Sequence, residues 1–179
     1  MPKVVLYIAI SLDGYIADKT GGVAWLEAMG EPGEDFGYEA FLATIGTVIM
    51  GAKTYEQVLT FPIDYPYTAH KSYIITHREL ARPPIPAAIE FYQGDLAALV
   101  GRIKNESQKD IWLVGGGVLN AQFMAAGLID EYQMTLMPIA LGEGLALFPG
   151  LPQHTRLRLK SHKVYPNGAL SLTYGRAEA

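Results

Sequence analysis

The chain has 179 residues, half of them hydrophobic and 18% charged, with a net charge of −4 and a pI near 5.5. That length and composition fit one α/β domain, residues 1–179, with a substantial core. The absence of cysteine excludes disulfides, thiolate metal sites and a Cys nucleophile, and no run of Lys or Arg points to nucleic acid or an acidic membrane surface.

Residues 4–11 read as a buried strand that starts the chain and is closed by a turn at Leu12-Asp13-Gly14. The run is too short to span a membrane, Asp13 interrupts it, and it carries no signal-peptide pattern, so a cytoplasmic location is expected. Residues 15–18 are a short extended piece. Thr20-Gly21-Gly22 is a loop with Trp25 just beyond it, and residues 31–34 form another loop. Asp35 stands where a helix should begin. Phe36, Tyr38, Phe41, Leu42 and Ile45 follow at roughly helical spacing, and Gly46 is expected to end the helix. Residues 47–50 read as a short strand, Gly51 as a turn and residues 54–59 as one or two helical turns. A loop over residues 61–70 leads to a strand at 71–76 and a Pro-rich loop at 81–87. An edge-like strand at 89–92 and an amphipathic helix at 95–107 follow, with Asp95 near its N-cap. Residues 111–114 make a strand that runs into Gly115-Gly116-Gly117, and residues 118–126 are helix-compatible.

To this point strands alternate with helices, which argues for a mostly parallel central sheet flanked by helices. The last third differs. Residues 131–141, 155–165 and 169–174 read as strands, with a hairpin turn at Pro166-Asn167-Gly168. An antiparallel C-terminal hairpin therefore closes the sheet. Its long edge suits pairing, and a homodimer through the C-terminal strands is expected.

Three strand-to-turn junctions carry the chemical interest. They are Met50-Gly51-Ala52-Lys53-Thr54, Ile75-Thr76-His77-Arg78, and Val114-Gly115-Gly116-Gly117 followed by Val118 and Leu119. Ligands of open α/β sheets gather at the C-terminal ends of strands. Glycines let a ligand approach the backbone, and a helix start offers free N–H groups and partial positive charge to a phosphate or pyrophosphate. Lys53, His77 and Arg78 add cationic character suited to several phosphates. The bland alternatives are glycines that only permit a turn and cations that are only solvated. The glycines come too late for the G-x-G-x-x-G dinucleotide fingerprint, so a standard Rossmann domain is not expected. No G-x-S-x-G elbow, no His pair with metal-ligand spacing and no zinc-deaminase signature is present, and no metal is expected.

Four segments in register resemble the dihydrofolate reductase-like superfamily, closest to the reductase domain of the riboflavin-biosynthesis deaminase-reductase and its stand-alone bacterial relatives. Tyr7-Ile8-Ala9-Ile10-Ser11-Leu12-Asp13-Gly14-Tyr15-Ile16-Ala17 is similar to the family's first strand and following loop. Val48-Ile49-Met50-Gly51-Ala52-Lys53-Thr54-Tyr55 is similar to its M-G-x-x-T-[YW] motif. Leu113 to Gly117 is similar to its late glycine turn, and the run from Pro138 through Gly142 and Gly144 to Phe148 to its P-x-x-x-G-x-G-x-x-x-F segment.

The resemblance implies an NADPH-dependent reductase on a dihydrofolate reductase-like fold, acting on a small pyrimidine- or pterin-type heterocycle such as a ribosylamino-pyrimidine phosphate. It implies that Gly51, Lys53 and Thr54 lie at the adenine-side phosphates, and that Thr76, His77 and Arg78 approach the 2′-phosphate and adenine. Gly116, Gly117, Val118 and Leu119, with Gly115 at the same turn, would hold the pyrophosphate. Ala9, Ile16 and Ala17 would face the nicotinamide. The family often has Arg where this chain has Ala52, so Lys53 or Arg78 must supply the missing donor. Folate reductases begin the corresponding helix with a carboxylate, which makes Asp35 the candidate acid. In an apolar pocket its raised pKa would let it protonate a ring nitrogen or C=N bond as hydride arrives. Asp is equally a preferred helix cap. Glu39 and Glu34 are weaker alternatives, and Trp25 either packs over the substrate or belongs to the core. Two other readings stand beside this one. A true dihydrofolate reductase would place an Arg just before residue 71, where this chain has His70. A non-catalytic nucleotide-binding protein on the same fold is the other.

Overall fold

Val4 to Ile10 alternate between two faces that are both covered, so the first strand is buried and nearly all apolar. In the computed structural model, which describes residues 1–30 and 33–177, it becomes β1 (Val4–Ile10) near the middle of the sheet. The elements that follow are β2 (Tyr15–Ala17), α1 (Ala24–Glu27), α2 (Tyr38–Thr44), β3 (Ile45–Gly51) and α3 (Ala52–Val58). Then come β4 (Lys71–Ile75), β5 (Ile89–Tyr92), α4 (Leu96–Glu106), β6 (Asp110–Gly115), α5 (Gly117–Ala125) and β7 (Glu131–Leu136). The chain ends with β8 (Leu145–Ala146), β9 (Leu157–Val164) and β10 (Leu170–Arg176).

Eight strands form one sheet in the order β5-β4-β3-β6-β1-β7-β10-β9. The first six of these are parallel, and β10 joins β7 and β9 antiparallel. The sheet is thus mostly parallel and closed by an antiparallel C-terminal pair, as the alternation implied. Two cores result. One face packs Val4, Leu6, Ile49, Leu113 and Tyr73 against Leu99, Val100 and Ile103 of α4 and Leu119 and Phe123 of α5. The other packs Val5, Val48, Met50, Ile74 and Trp112 against Phe41 of α2, Tyr55 and Val58 of α3, and Tyr65 and Tyr67 of the 61–70 loop.

Boundaries moved where a tertiary contact outweighed local pattern. The helix expected from Asp35 begins at Tyr38, because Phe36 and Gly37 adopt positive φ (54° and 86°). It ends at Thr44, and Gly46 lies inside β3, where a Cβ would come within 2.9 Å of the Lys109 Cβ. The strand expected over 131–141 stops at Leu136, and the following residues form a strap that ends in β8. The short α1 around Trp25 lacks the apolar periodicity that would reveal it. Glu31 and Pro32 of the expected 31–34 loop lie outside the described residues. Asp95 caps α4 as expected, accepting the Ala98 N–H at 2.7 Å. Among the described residues no helix is long and apolar enough to cross a membrane.

Candidate active site

The ends of β4, β3 and β6 are neighbours at one edge of the sheet, with Gly51 opposite Ile75 and Met50 opposite Gly115. The three junctions singled out in the sequence therefore lie side by side. Gly115 and Gly116 take φ of 97° and 95°, values that side chains resist. A Cβ on Gly115 would strike the Asn120 amide, one on Gly116 would lie 2.8 Å from Thr54 Oγ1, and one on Gly117 would strike the Ala146 carbonyl. The glycines are thus required by the chain's own packing, which brings α3, α5 and the strap into contact at this edge. They also leave the start of α5 bare: Gly116, its N-cap residue, offers no side-chain cap. The N–H groups of the first helical turn have no partner within the helix, which is a standing site for an anion. Asn120, fully buried just below, donates to the Leu147 carbonyl at 3.4 Å and leaves its Oδ1 without a partner among the described residues. The bare helix start and the glycine backbone fit a dinucleotide's pyrophosphate.

Around this edge Thr54 is half-buried on α3 and Lys53 and His77 are exposed. Thr76 is buried, and its Oγ1 accepts the Arg78 N–H at 2.9 Å, which fixes the turn. Arg78 is not a free cation: its Nη2 lies 2.9 Å from Glu56 Oε2 on α3. Val118 is exposed and Leu119 is buried, its side chain in the core beneath the helix.

The loop after β1 is tied down from three sides. Ser11 Oγ donates to Asp13 Oδ1 at 2.6 Å, and Asp13 accepts the N–H groups of Leu141 (3.0 Å) and Gly142 (2.7 Å). The Ser11 hydroxyl, followed by those two amides, lowers the Asp13 pKa to about 2. β2 pairs with β8 of the strap, Lys19 meets Glu143 at 2.6 Å, and Gln57 of α3 donates to the Gly21 carbonyl. Ile16 and Ala17 are thereby held against the strap, above the end of β1.

Ala9 lies on the same face of β1 as Tyr7, opposite Thr135 of β7. Beside it is a cavity of about 160 Å³. Its floor is polar: Gln133, Thr135, Ser171 and Thr173 alternate onto this face, with the Thr135 and Ser171 hydroxyls 2.8 Å apart. Tyr7, Phe36 and Tyr165 contribute aromatic walls. Tyr7 Oη donates to the Phe36 carbonyl at 3.2 Å, and burial raises its pKa, so it stays protonated. The four polar floor residues were not singled out in the sequence. Their signal was the alternation in Q-M-T and S-L-T, which reads equally as a solvent-facing strand.

Asp35 departs from expectation. It is exposed, and its carboxylate accepts the Glu39 N–H and the Gly37 N–H, both at 2.9 Å. These two bonds, Glu39 first, lower its pKa. The raised pKa expected of a buried acid is corrected: the group is held as a carboxylate because backbone donors stabilise the charged form. Glu39 is exposed and contributes to the cap through its N–H, and Glu34 accepts the Phe36 N–H at 2.8 Å. Trp25 packs in a small cluster with Ala9, Phe36, Met137, Ile139 and Tyr165, so it stands at the end of β1 beside the cavity wall. Its Nε1 is buried without a partner among the described residues.

The RibD C-terminal domain family model matches residues 2–171. The chain is 38% identical to the uncharacterized protein YwjB of Bacillus subtilis over 175 residues, 98% of each chain. It superposes on the crystal structure of a putative riboflavin biosynthesis protein from Shewanella sp. PV-4 with a TM-score of 0.89 and 29% identity, covering 98% of this chain and 99% of that one. Acinetobacter baumannii RibD shares the fold at a TM-score of 0.75 and 22% identity, with 99% of this chain spanning 59% of that one.

Proposed function

The chain belongs to the RibD C-terminal domain family, and we propose that it is an NADPH-dependent reductase of a small pyrimidine- or pterin-type heterocycle, akin to a 5-amino-6-(5-phosphoribosylamino)uracil reductase. The observation that carries the proposal is the pairing of two unlike surfaces. An uncapped helix start stands in a glycine edge, and a polar-floored, aromatic-walled cavity lies on the Ala9 face of β1. The first suits a pyrophosphate and the second a flat ring with hydrogen-bonding edges.

In this reading Gly115, Gly116, Gly117, Val118 and Leu119 bind the pyrophosphate through backbone N–H groups at the start of α5. Gly51, Lys53 and Thr54 lie along the adenine-side phosphates, and Thr76, His77 and Arg78 along the adenosine end. Ala9, Ile16 and Ala17 orient the nicotinamide, with the strapped loop excluding water above it. NADPH, when bound, supplies a hydride to an electrophilic carbon of the substrate. Gln133, Thr135, Ser171 and Thr173 bind the ring edge, and Trp25 and Phe36 close the wall. Asp35, ionised, positions the start of α2 and with it Phe36. The proton that accompanies the hydride then comes from water at the cavity mouth. The enzyme works as a cytoplasmic homodimer.

The test is loss of nicotinamide absorbance with a panel of ribosylamino-pyrimidine, pterin and folate substrates. Turnover with a pyrimidine or pterin and NADPH is the expected result. Tight NADPH binding without turnover on any of them would favour a non-catalytic nucleotide-binding protein.

A further inference from the structure

Resting on the reading that a dinucleotide lies along the β4–β3–β6 edge, we propose that Glu56 sets the nucleotide preference of this chain by holding Arg78 away from full service to a 2′-phosphate. An ion pair, Arg78 with Glu56, stands at the adenosine end of that edge, with Lys53 on the same helix as Glu56. Arg78 is fixed at its backbone by the Thr76 hydroxyl, and its guanidinium reaches across to Glu56 of α3 at 2.9 Å. Lys53 lies three residues before Glu56 on the same helix, on the same helix face. The position where the resemblance expects an arginine is Ala52. Lys53, Glu56 and Arg78 together therefore carry one net positive charge, because Glu56 offsets one of the two cations.

The pair is half-exposed on both sides, so it is weak enough to open when a 2′-phosphate arrives. Opening it still leaves the Glu56 carboxylate beside that phosphate, and like charges at that range repel. A ribose 2′-hydroxyl feels no such penalty, and a nearby carboxylate can accept its hydrogen bond. The chain thus takes dinucleotides with and without the 2′-phosphate at affinities within about an order of magnitude of each other.

The experiment is equilibrium titration of the wild-type chain, Glu56→Gln and Glu56→Gln/Arg78→Gln with NADPH, NADH and 2′,5′-ADP, with circular dichroism to verify that each variant is folded. Glu56→Gln is expected to tighten NADPH and 2′,5′-ADP by about fivefold and leave NADH unchanged, and the added Arg78→Gln to abolish the gain. A wild-type preference for NADPH beyond about tenfold, or a Glu56→Gln variant that shifts all three ligands equally or none, overturns the proposal. Failure of every nucleotide to bind any of the three proteins overturns the dinucleotide reading itself, and is distinguishable because no ratio can then be measured.

Discussion

Asp35 shows how one side chain's surroundings decide its chemistry. A carboxylate that accepts two backbone N–H groups is stabilised in its charged form, so its pKa falls. A general acid needs the opposite, a pKa near the working pH. Asp35→Asn preserves the acceptor geometry, and its turnover is expected to stay within about tenfold of wild type, while Asp35→Ala lowers the melting temperature. A loss of roughly a hundredfold in Asp35→Asn, with the alkaline limb of the rate profile gone, would restore Asp35 as the proton donor. The sequence could place Asp35 at the helix start but could not separate acid from cap. Both roles use the same residue at the same position, and only the direction of its hydrogen bonds distinguishes them.

At the scale of elements, the site is a meeting of turns. Gly117 is needed because the Ala146 carbonyl of the strap occupies the space a Cβ would take, and Gly115 and Gly116 because the backbone turns through positive φ. Gly116→Ala is expected to cost about 1–2 kcal/mol of stability from φ alone, measured by urea unfolding; an unchanged midpoint would show that the turn relaxes. Asp13 ties the loop after β1 to the strap. Its folded pKa of about 2 lies below the ordinary carboxylate value. Its contribution to stability is therefore complete above pH 4 or so and is lost as pH falls toward 2. Asp13→Asn should flatten that part of the stability–pH curve and speed amide exchange at Leu141 and Gly142. Exchange as slow as wild type would mean that the β2–β8 ladder holds the strap without it. These elements were legible to different degrees. β1, β4, β5, α4 and the glycine turn carry strong local signals: unbroken apolar runs, an Asp cap, consecutive glycines. The strap and α1 carry none, because their positions come from contacts with β2, α5 and the small cluster around Met137 rather than from their own periodicity.

Across the whole molecule, the parallel half of the sheet is covered on both faces, while β9 at the C-terminal end is exposed along most of its length. On the face opposite the Thr135 and Ser171 hydroxyls, β10 and β9 carry Leu170, Leu159 and Val164, with Leu159 48% and Val164 69% exposed. Among the described residues the last helix, α5, leads into β7, and the elements after it are all strands. The outer edge, β9, carries Lys160 and Lys163 and exposes most of its length, a pattern that discourages edge-to-edge pairing. The homodimer we propose therefore buries the apolar face rather than extending the sheet. Sedimentation should give about twice 19.5 kDa at micromolar concentration, and Val164→Lys should shift it toward the monomer. A wild-type monomer would contradict that arrangement. The alternation of β7 and β10 was visible in the sequence, but which face held the cavity was not. Only the pairing of Thr135 with Ala9 and Ser171 settles it.

In the function we propose, one edge of this sheet holds a dinucleotide whose reactive end meets the polar cavity. That arrangement is tested most directly by following backbone amide resonances while NADPH is added. Saturable shifts should concentrate at residues 51–54, 76–78 and 115–119, with a second group at Ala9, Ile16 and Ala17. Shifts confined to other surfaces, such as the Pro-rich loop at 82–87, or no shifts at millimolar NADPH, would contradict it.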